Sequence, residues 1–176
     1  STLFPYTTLF RSGALPEVLR RFPKAELLCS PKAKPMLVEH LLLDPARIRV
    51  VEDGEKVALG EMTLEFIHAP WVHWPETMLT YVPERKTLFP CDLFGSHWAF
   101  SEWFVRDDHF FLEAAKRYYA EIMMPFAGVI KKHLKRLESY EIELIAPSHG
   151  PMIDRPALIM DAYRSWVFDA PKNKVV

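Results

Sequence analysis

Residues 62–92 read MTLEFIHAPWVHWPETMLTYVPERKTLFPCD, and this stretch decides the fold. Met62 to His68, Thr77 to Val82 and Lys86 to Cys91 are short runs of β-formers, separated by a Pro-rich turn and by Pro83-Glu84-Arg85. Ile48 to Val51 and Lys56 to Leu59 precede them, set apart by turns at Glu52-Asp53-Gly54 and Gly60-Glu61, so the spacing predicts a five-strand meander. Upstream, Leu15 to Phe22 and Pro31 to Leu43 carry helical spacing on either side of a buried strand at Glu26 to Cys29, a β-α-β rhythm. Pro35 is tolerable in the second helix because it falls in the first turn. Downstream, Phe110 to Leu137 predicts a long amphipathic helix kinked at Pro125, Glu143 to Ala146 a strand, and Pro156 to Phe168 a last helix with Pro at its start. The expected fold class is α/β, with helices flanking a largely antiparallel sheet system.

Composition narrows the function classes. A chain of 176 residues with 49% hydrophobic residues can bury one sizeable core. With 22 Lys and Arg against 23 Asp and Glu, it lacks the basic excess of an electrostatic nucleic-acid binder. No apolar run approaches the roughly 20 residues that span a bilayer, so no transmembrane helix is expected; the expected location is cytoplasmic. Cys29 and Cys91 lack C-x-x-C spacing and sit among apolar residues, which predicts two reduced, buried thiols. Fifteen Pro against 6 Gly, with 13% aromatic residues, favour rigid loops as the place for a site.

The first twelve residues, STLFPYTTLFRS, follow a different logic. They carry no charge before Arg11 and fit neither a signal peptide nor a strand pair. Thr2 to Ser12 looks like the in-frame translation of a sequencing-library adapter, so residues 1–12 are expected to carry no fold and the domain is expected over 13–170. The alternative is a native hydrophobic strand.

Chemistry is sought where ligand-type residues end strands. His73 in Val72-His73-Trp74-Pro75, Asp92 in Pro90-Cys91-Asp92, and His149 in Pro147-Ser148-His149-Gly150 each follow a buried run. Imidazole and carboxylate suit iron, zinc or manganese, and one Asp between two His could bridge two metals. Taken singly, each has a bland alternative: a core histidine, or an Asp that caps a helix or forms a turn. His68 ends a strand too and competes with His73. Glu76 reads as a turn acid, and His97 and His109 as surface or supporting groups. Ser148 beside His149 lacks an oxyanion motif, and no Gly-x-Gly-x-x-Gly, Walker loop, Gly-x-Ser-x-Gly or His-Glu-x-x-His occurs.

Five segments then carry a resemblance. Gly13-Ala14-Leu15-Pro16-Glu17, His73-Trp74-Pro75-Glu76-Thr77-Met78, Asp92-Leu93-Phe94-Gly95-Ser96-His97, Tyr118-Tyr119-Ala120-Glu121-Ile122-Met123 and Pro147-Ser148-His149-Gly150-Pro151 occur in the order seen in flavodiiron proteins. The resemblance implies a metallo-β-lactamase-like αββα sandwich with a non-haem di-iron centre, followed by a flavodoxin-like domain with FMN. It maps three metal ligands onto His73, Asp92 and His149, with Asp92 bridging the two iron ions. The family's other ligands lie in a His-x-Glu-x-Asp-His motif just before Ser-Gly-Ala-Leu. That place here holds the adapter-like residues, and no His-x-Glu-x-Asp occurs in the chain. The N-terminal half of the fold is therefore expected to be incomplete, and residues 171–176 to begin the missing flavodoxin-like domain.

The resemblance further implies reduction of dioxygen to water or of nitric oxide to nitrous oxide, with electrons from FMN. Rubredoxin or a flavin reductase would be the donor, and the assembly a head-to-tail homodimer, with the fragment itself inactive. Tyr119, or its neighbour Tyr118, is the expected tyrosine near the metals, and a packing role is the competing reading. Trp71, Trp74, Trp98 and Trp103 could exclude water or simply pack. Two other readings stay open: a zinc-dependent hydrolase on the same fold, and a metal-free structural module.

Overall fold

The structure is a computed structural model and describes residues 3–5, 13–99 and 101–168. Two sheets lie between two helical layers. In the first sheet, β1 (Leu3–Pro5), β2 (Glu26–Cys29) and β3 (Ile48–Val50) run parallel in that order. The side-chain alternation of β2 divides its surroundings. Leu27 and Cys29 pack with Leu19, Leu37 and Ile48 beneath α1 (Leu15–Arg21) and α2 (Ala33–Leu41), whereas Leu28 points the other way into a cluster with Leu64, Phe66 and Met78.

The second sheet orders β4 (Lys56–Leu59), β5 (Met62–His68), β6 (Met78–Val82), β7 (Thr87–Phe89) and β8 (Leu144–Ile145). Its first four strands are antiparallel neighbours, and β8 joins β7 in parallel. The pairing of Phe66 with Thr80 and of Ile67 with Leu79 fixes which face is which. Phe66 faces the first sheet, while Ile67, Leu79, Leu88 and Ile145 face α3 (Asp108–Tyr118), α4 (Ala127–Leu137) and α5 (Pro156–Phe168). The result is the four-layer αββα sandwich expected from the sequence.

Several boundaries move, each for a physical reason. The meander has four strands rather than five, because Ile48–Val50 pairs with β2 and buries Ile48 under the first helical layer. Gly54, at φ +80°, then turns the chain toward the second sheet, its N–H bonding the Phe66 carbonyl at 2.7 Å. α2 stops at Leu41, short of the expected Leu43, since Leu42 turns left-handed at φ 52° and so returns Leu43 to the core. The single kinked helix over 110–137 is instead two α-helices joined by a π-helical turn (Tyr119–Met123) and a 3-10 turn (Met124–Phe126). Pro125 has no N–H, and its ring would strike the carbonyl four residues back, so α geometry cannot run through it.

Within the stretch 1–12, expected to carry no fold, Leu3–Pro5 form a strand on β2, and the other residues of that stretch lie outside the described residues. Parallel pairing draws on backbone groups whatever the side chains. Residues 171–176, expected to begin a second domain, lie outside the described residues. Neither cysteine forms a disulfide among the described residues, and both are buried, as expected.

Candidate metal centre

Three loops at one end of the second sheet bring His73, Asp92 and His149 together. His73 lies in the β5–β6 loop, which closes on itself through Trp71 N to Trp74 O at 2.7 Å and Ala69 N to Thr77 O at 2.9 Å. Asp92 follows β7 in a turn closed by Gly95 N to Asp92 O at 3.1 Å. His149 follows β8, and two backbone bonds tie its loop to the Asp92 turn: Ser148 N to Cys91 O at 2.7 Å and Ser96 N to His149 O at 3.2 Å. The tie is close because residue 150 is glycine. At φ +81°, a Cβ there would overlap the Ser96 hydroxyl and stand 3.0 Å from the Ser96 carbonyl oxygen.

Strain accompanies His73 and Asp92. Trp71 (φ 66°), Cys91 (φ 57°) and Phe94 (φ 67°) are left-handed without being glycine, which costs about 1–3 kcal/mol each and persists only where the surroundings over-determine it. Such positions point to a site rather than to a passive turn.

Asp92 is the centre of the arrangement. Its side chain is 1% exposed, with His73 Nε2 at 3.2 Å from Oδ2 and His149 Nε2 at 3.9 Å from Oδ1. Each imidazole thus addresses a different oxygen of one buried carboxylate. Two metal–donor bonds of about 2.1 Å at tetrahedral to octahedral angles span about 3.0–3.4 Å, so the His73–Asp92 pair is already at chelating distance, and the His149 pair is wider. Among the described residues, no group of three or more His, Cys, Asp or Glu closes around a single ion. The geometry is that of two donor pairs sharing a carboxylate, and the residues present fit one imidazole per metal with a common bridge.

Rings pack around these donors. His73 is tilted against Trp74 at 5.7 Å and Phe126 at 6.1 Å between centroids, and Trp71 stacks on Phe126. On the far side, Tyr118 lies 5.8 Å from the His149 ring, and His97 stands edge-on to both. Tyr119 turns away, with its hydroxyl 3.4 Å from the Trp166 carbonyl and its ring against Tyr163, so Tyr118 is the tyrosine beside His149. Burial pushes the Tyr119 phenol above its usual range. Helical spacing alone could not choose between adjacent tyrosines.

The remaining sequence candidates separate cleanly. His68 is held away from the cluster by its Nε2 contact with the Val51 carbonyl at 3.0 Å. Glu76, expected as a turn acid, is 1% exposed, and its carbonyl accepts the Ser30 hydroxyl at 2.8 Å, which draws it under the first sheet. Trp103 is largely exposed, while Trp98 packs against the main core.

Residues 12–150 match the family model described as ODP family beta lactamase. The chain belongs to the ODP beta-lactamase family. This ODP domain is 38% identical over 176 aligned residues to a nitric oxide reductase of Moorella thermoacetica, an alignment covering 97% of the chain and 44% of that relative. Its fold matches the flavodiiron protein from Giardia intestinalis with a TM-score of 0.83 at 30% identity, covering 88% of the domain and 39% of that structure. The rubredoxin oxygen:oxidoreductase from Desulfovibrio gigas aligns with a TM-score of 0.86 at 27% identity, over 92% and 42%. The ODP domain thus spans less than half the length of each of these proteins, and the flavodiiron resemblance and the metallo-β-lactamase-like fold are borne out.

Proposed function

We propose that this domain is the di-iron-binding part of a flavodiiron oxidoreductase that reduces dioxygen to water, nitric oxide to nitrous oxide, or both. The observation that carries the reading is the shared carboxylate: two imidazoles from separate loops address opposite oxygens of buried Asp92. Two iron ions held there would supply open coordination positions and electrons for a diatomic substrate. Within this chain, His73 and His149 would each hold one metal, with the Asp92 carboxylate shared between them. Trp71, Trp74 and Phe126 form an apolar rim that limits water on the His73 side. FMN in a flavodoxin-like domain would supply the electrons, with rubredoxin or a flavin reductase as donor and a head-to-tail homodimer as the assembly. A cytoplasmic location is consistent with this, and no described helix is long and apolar enough to cross a membrane.

The missing ligands provide the test. The six residues before Ser12 are Tyr6-Thr7-Thr8-Leu9-Phe10-Arg11, the place of His-x-Glu-x-Asp-His in the resemblance. A variant carrying Tyr6→His, Thr8→Glu, Phe10→Asp and Arg11→His is expected to retain about two iron ions per chain after anaerobic loading, and to consume nitric oxide or dioxygen when chemically reduced. A variant that retains no iron overturns the reading.

A further inference from the structure

We propose that His97 is a positioning residue that, together with Tyr118, holds the His149 imidazole toward Asp92. The inference rests on the reading of His149 as a metal ligand and adds a role for a residue outside the ligand set. The 3.9 Å between His149 Nε2 and Asp92 Oδ1 exceeds a hydrogen bond, and the His149 side chain is 30% exposed, so this contact does not by itself fix the ring. Two rings flank it. His97 stands edge-on to His149, with centroids 5.5 Å apart and planes at 84°, and edge-on to Tyr118 at 4.7 Å and 87°. Tyr118 closes the triangle at 5.8 Å from His149. Edge-to-face pairs of this kind contribute about 0.5–1.5 kcal/mol each, enough to bias a ring between orientations.

The backbone explains why His97 arrives there. Ser96 N donates to the His149 carbonyl at 3.2 Å, and Gly95 lies so near the His149 loop that a Cβ would stand 3.4 Å from His149 Cβ. His97 therefore leaves a segment already zipped to the ligand loop. Beyond it opens a cleft of about 570 Å³, lined by His97, Trp98, Phe110, Glu113, Arg117 and Glu121. The His97 ring thus touches both that cleft and the His149 ring.

His97→Ala removes the ring, and His97→Phe keeps its edge while discarding its nitrogens. His97 is itself exposed but lies on the buried Tyr118 ring, so the denaturation midpoint of each variant is measured beside its relaxation. In the metal-free chain with isotope-labelled histidine, ring relaxation is expected to show His149 equally restrained in the parent and in His97→Phe. In His97→Ala its order parameter is expected to fall by about half. In the variant with the four restored ligands, cobalt(II) affinity is expected to weaken about tenfold or more with His97→Ala and to be kept with His97→Phe. Identical His149 relaxation in all three proteins overturns the proposal, as does a His149 ring as loose in His97→Phe as in His97→Ala. A restored variant that binds no cobalt while His149 still loosens in His97→Ala leaves the clamp standing and counts against the di-iron reading. One that binds cobalt equally with and without the His97 ring overturns the clamp alone.

Discussion

Ser96 and Gly150 are in such close register that a methyl group at residue 150 would collide with the Ser96 hydroxyl and press on its carbonyl oxygen. This contact locks the Asp92 turn to the His149 loop, so the spacing of two ligand-type residues 57 positions apart depends on a missing side chain.

Gly150→Ala is therefore expected to destabilise the domain by about 1–3 kcal/mol, combining left-handed strain with the steric conflict. Ser96→Gly in the same chain should recover the side-chain part of that loss and leave the backbone part. Chemical denaturation of the parent, both single variants and the double variant separates the two, and strict additivity would count against the contact.

Asp92 is expected to matter more to metal loading than either histidine. In the restored-ligand variant, Asp92→Ala should abolish loading at both positions, since one carboxylate faces both imidazoles. His73→Ala or His149→Ala should each reduce loading to about one ion per chain. Metal counting by elemental analysis checks this, and equal losses from all three substitutions would contradict a shared bridge.

Cys29 should be inert in the folded chain. Burial pushes its thiol up to about 11, so at pH 8 about one molecule in a thousand carries the thiolate that disulfide reagents attack. It should label only as the chain unfolds, at a rate set by denaturant. Prompt labelling of Cys29 in native protein would show that the first helical layer does not seal it.

Alkaline stability should depend on Tyr140. Its hydroxyl donates to Glu65 Oε1 at 2.7 Å, and burial together with the Glu65 carboxylate pushes the phenol up to about 12. Because the folded value lies above the usual one near 10, the neutral phenol's contribution is complete below about pH 10 and is lost as pH rises through about 12. Tyr140→Phe should flatten the fall in denaturation midpoint across that window. A slope identical to the parent's would place the alkaline sensitivity elsewhere.

Much of this was legible in the residues. Periodicity and punctuation placed α1, β2 and α5 close to their true bounds, because Pro16, Pro23 and Pro156 act locally on the backbone. His73, Asp92 and His149 stood out because each follows a buried strand. The partner of Ile48–Val50 was not legible: a short apolar run satisfies either sheet, and only the burial of Ile48 against Leu27 and Leu37 decides between them. Nor was the choice of Tyr118 over Tyr119, which rests on which of the two rings meets His149 across loops distant in sequence.

By itself, then, the sequence determined the alternation of helix and strand, the residue types able to bind metal and the family resemblance, all of which follow from local backbone preference and side-chain chemistry. The tertiary structure alone decided that two imidazoles meet opposite oxygens of one buried carboxylate, that His68 is held away by Val51, and that His97 stands against His149. The physical reason is that these are distances between loops far apart in the chain. They are set by sheet register, by left-handed turns at Trp71, Cys91 and Phe94, and by one absent Cβ at Gly150, none of which a local pattern encodes.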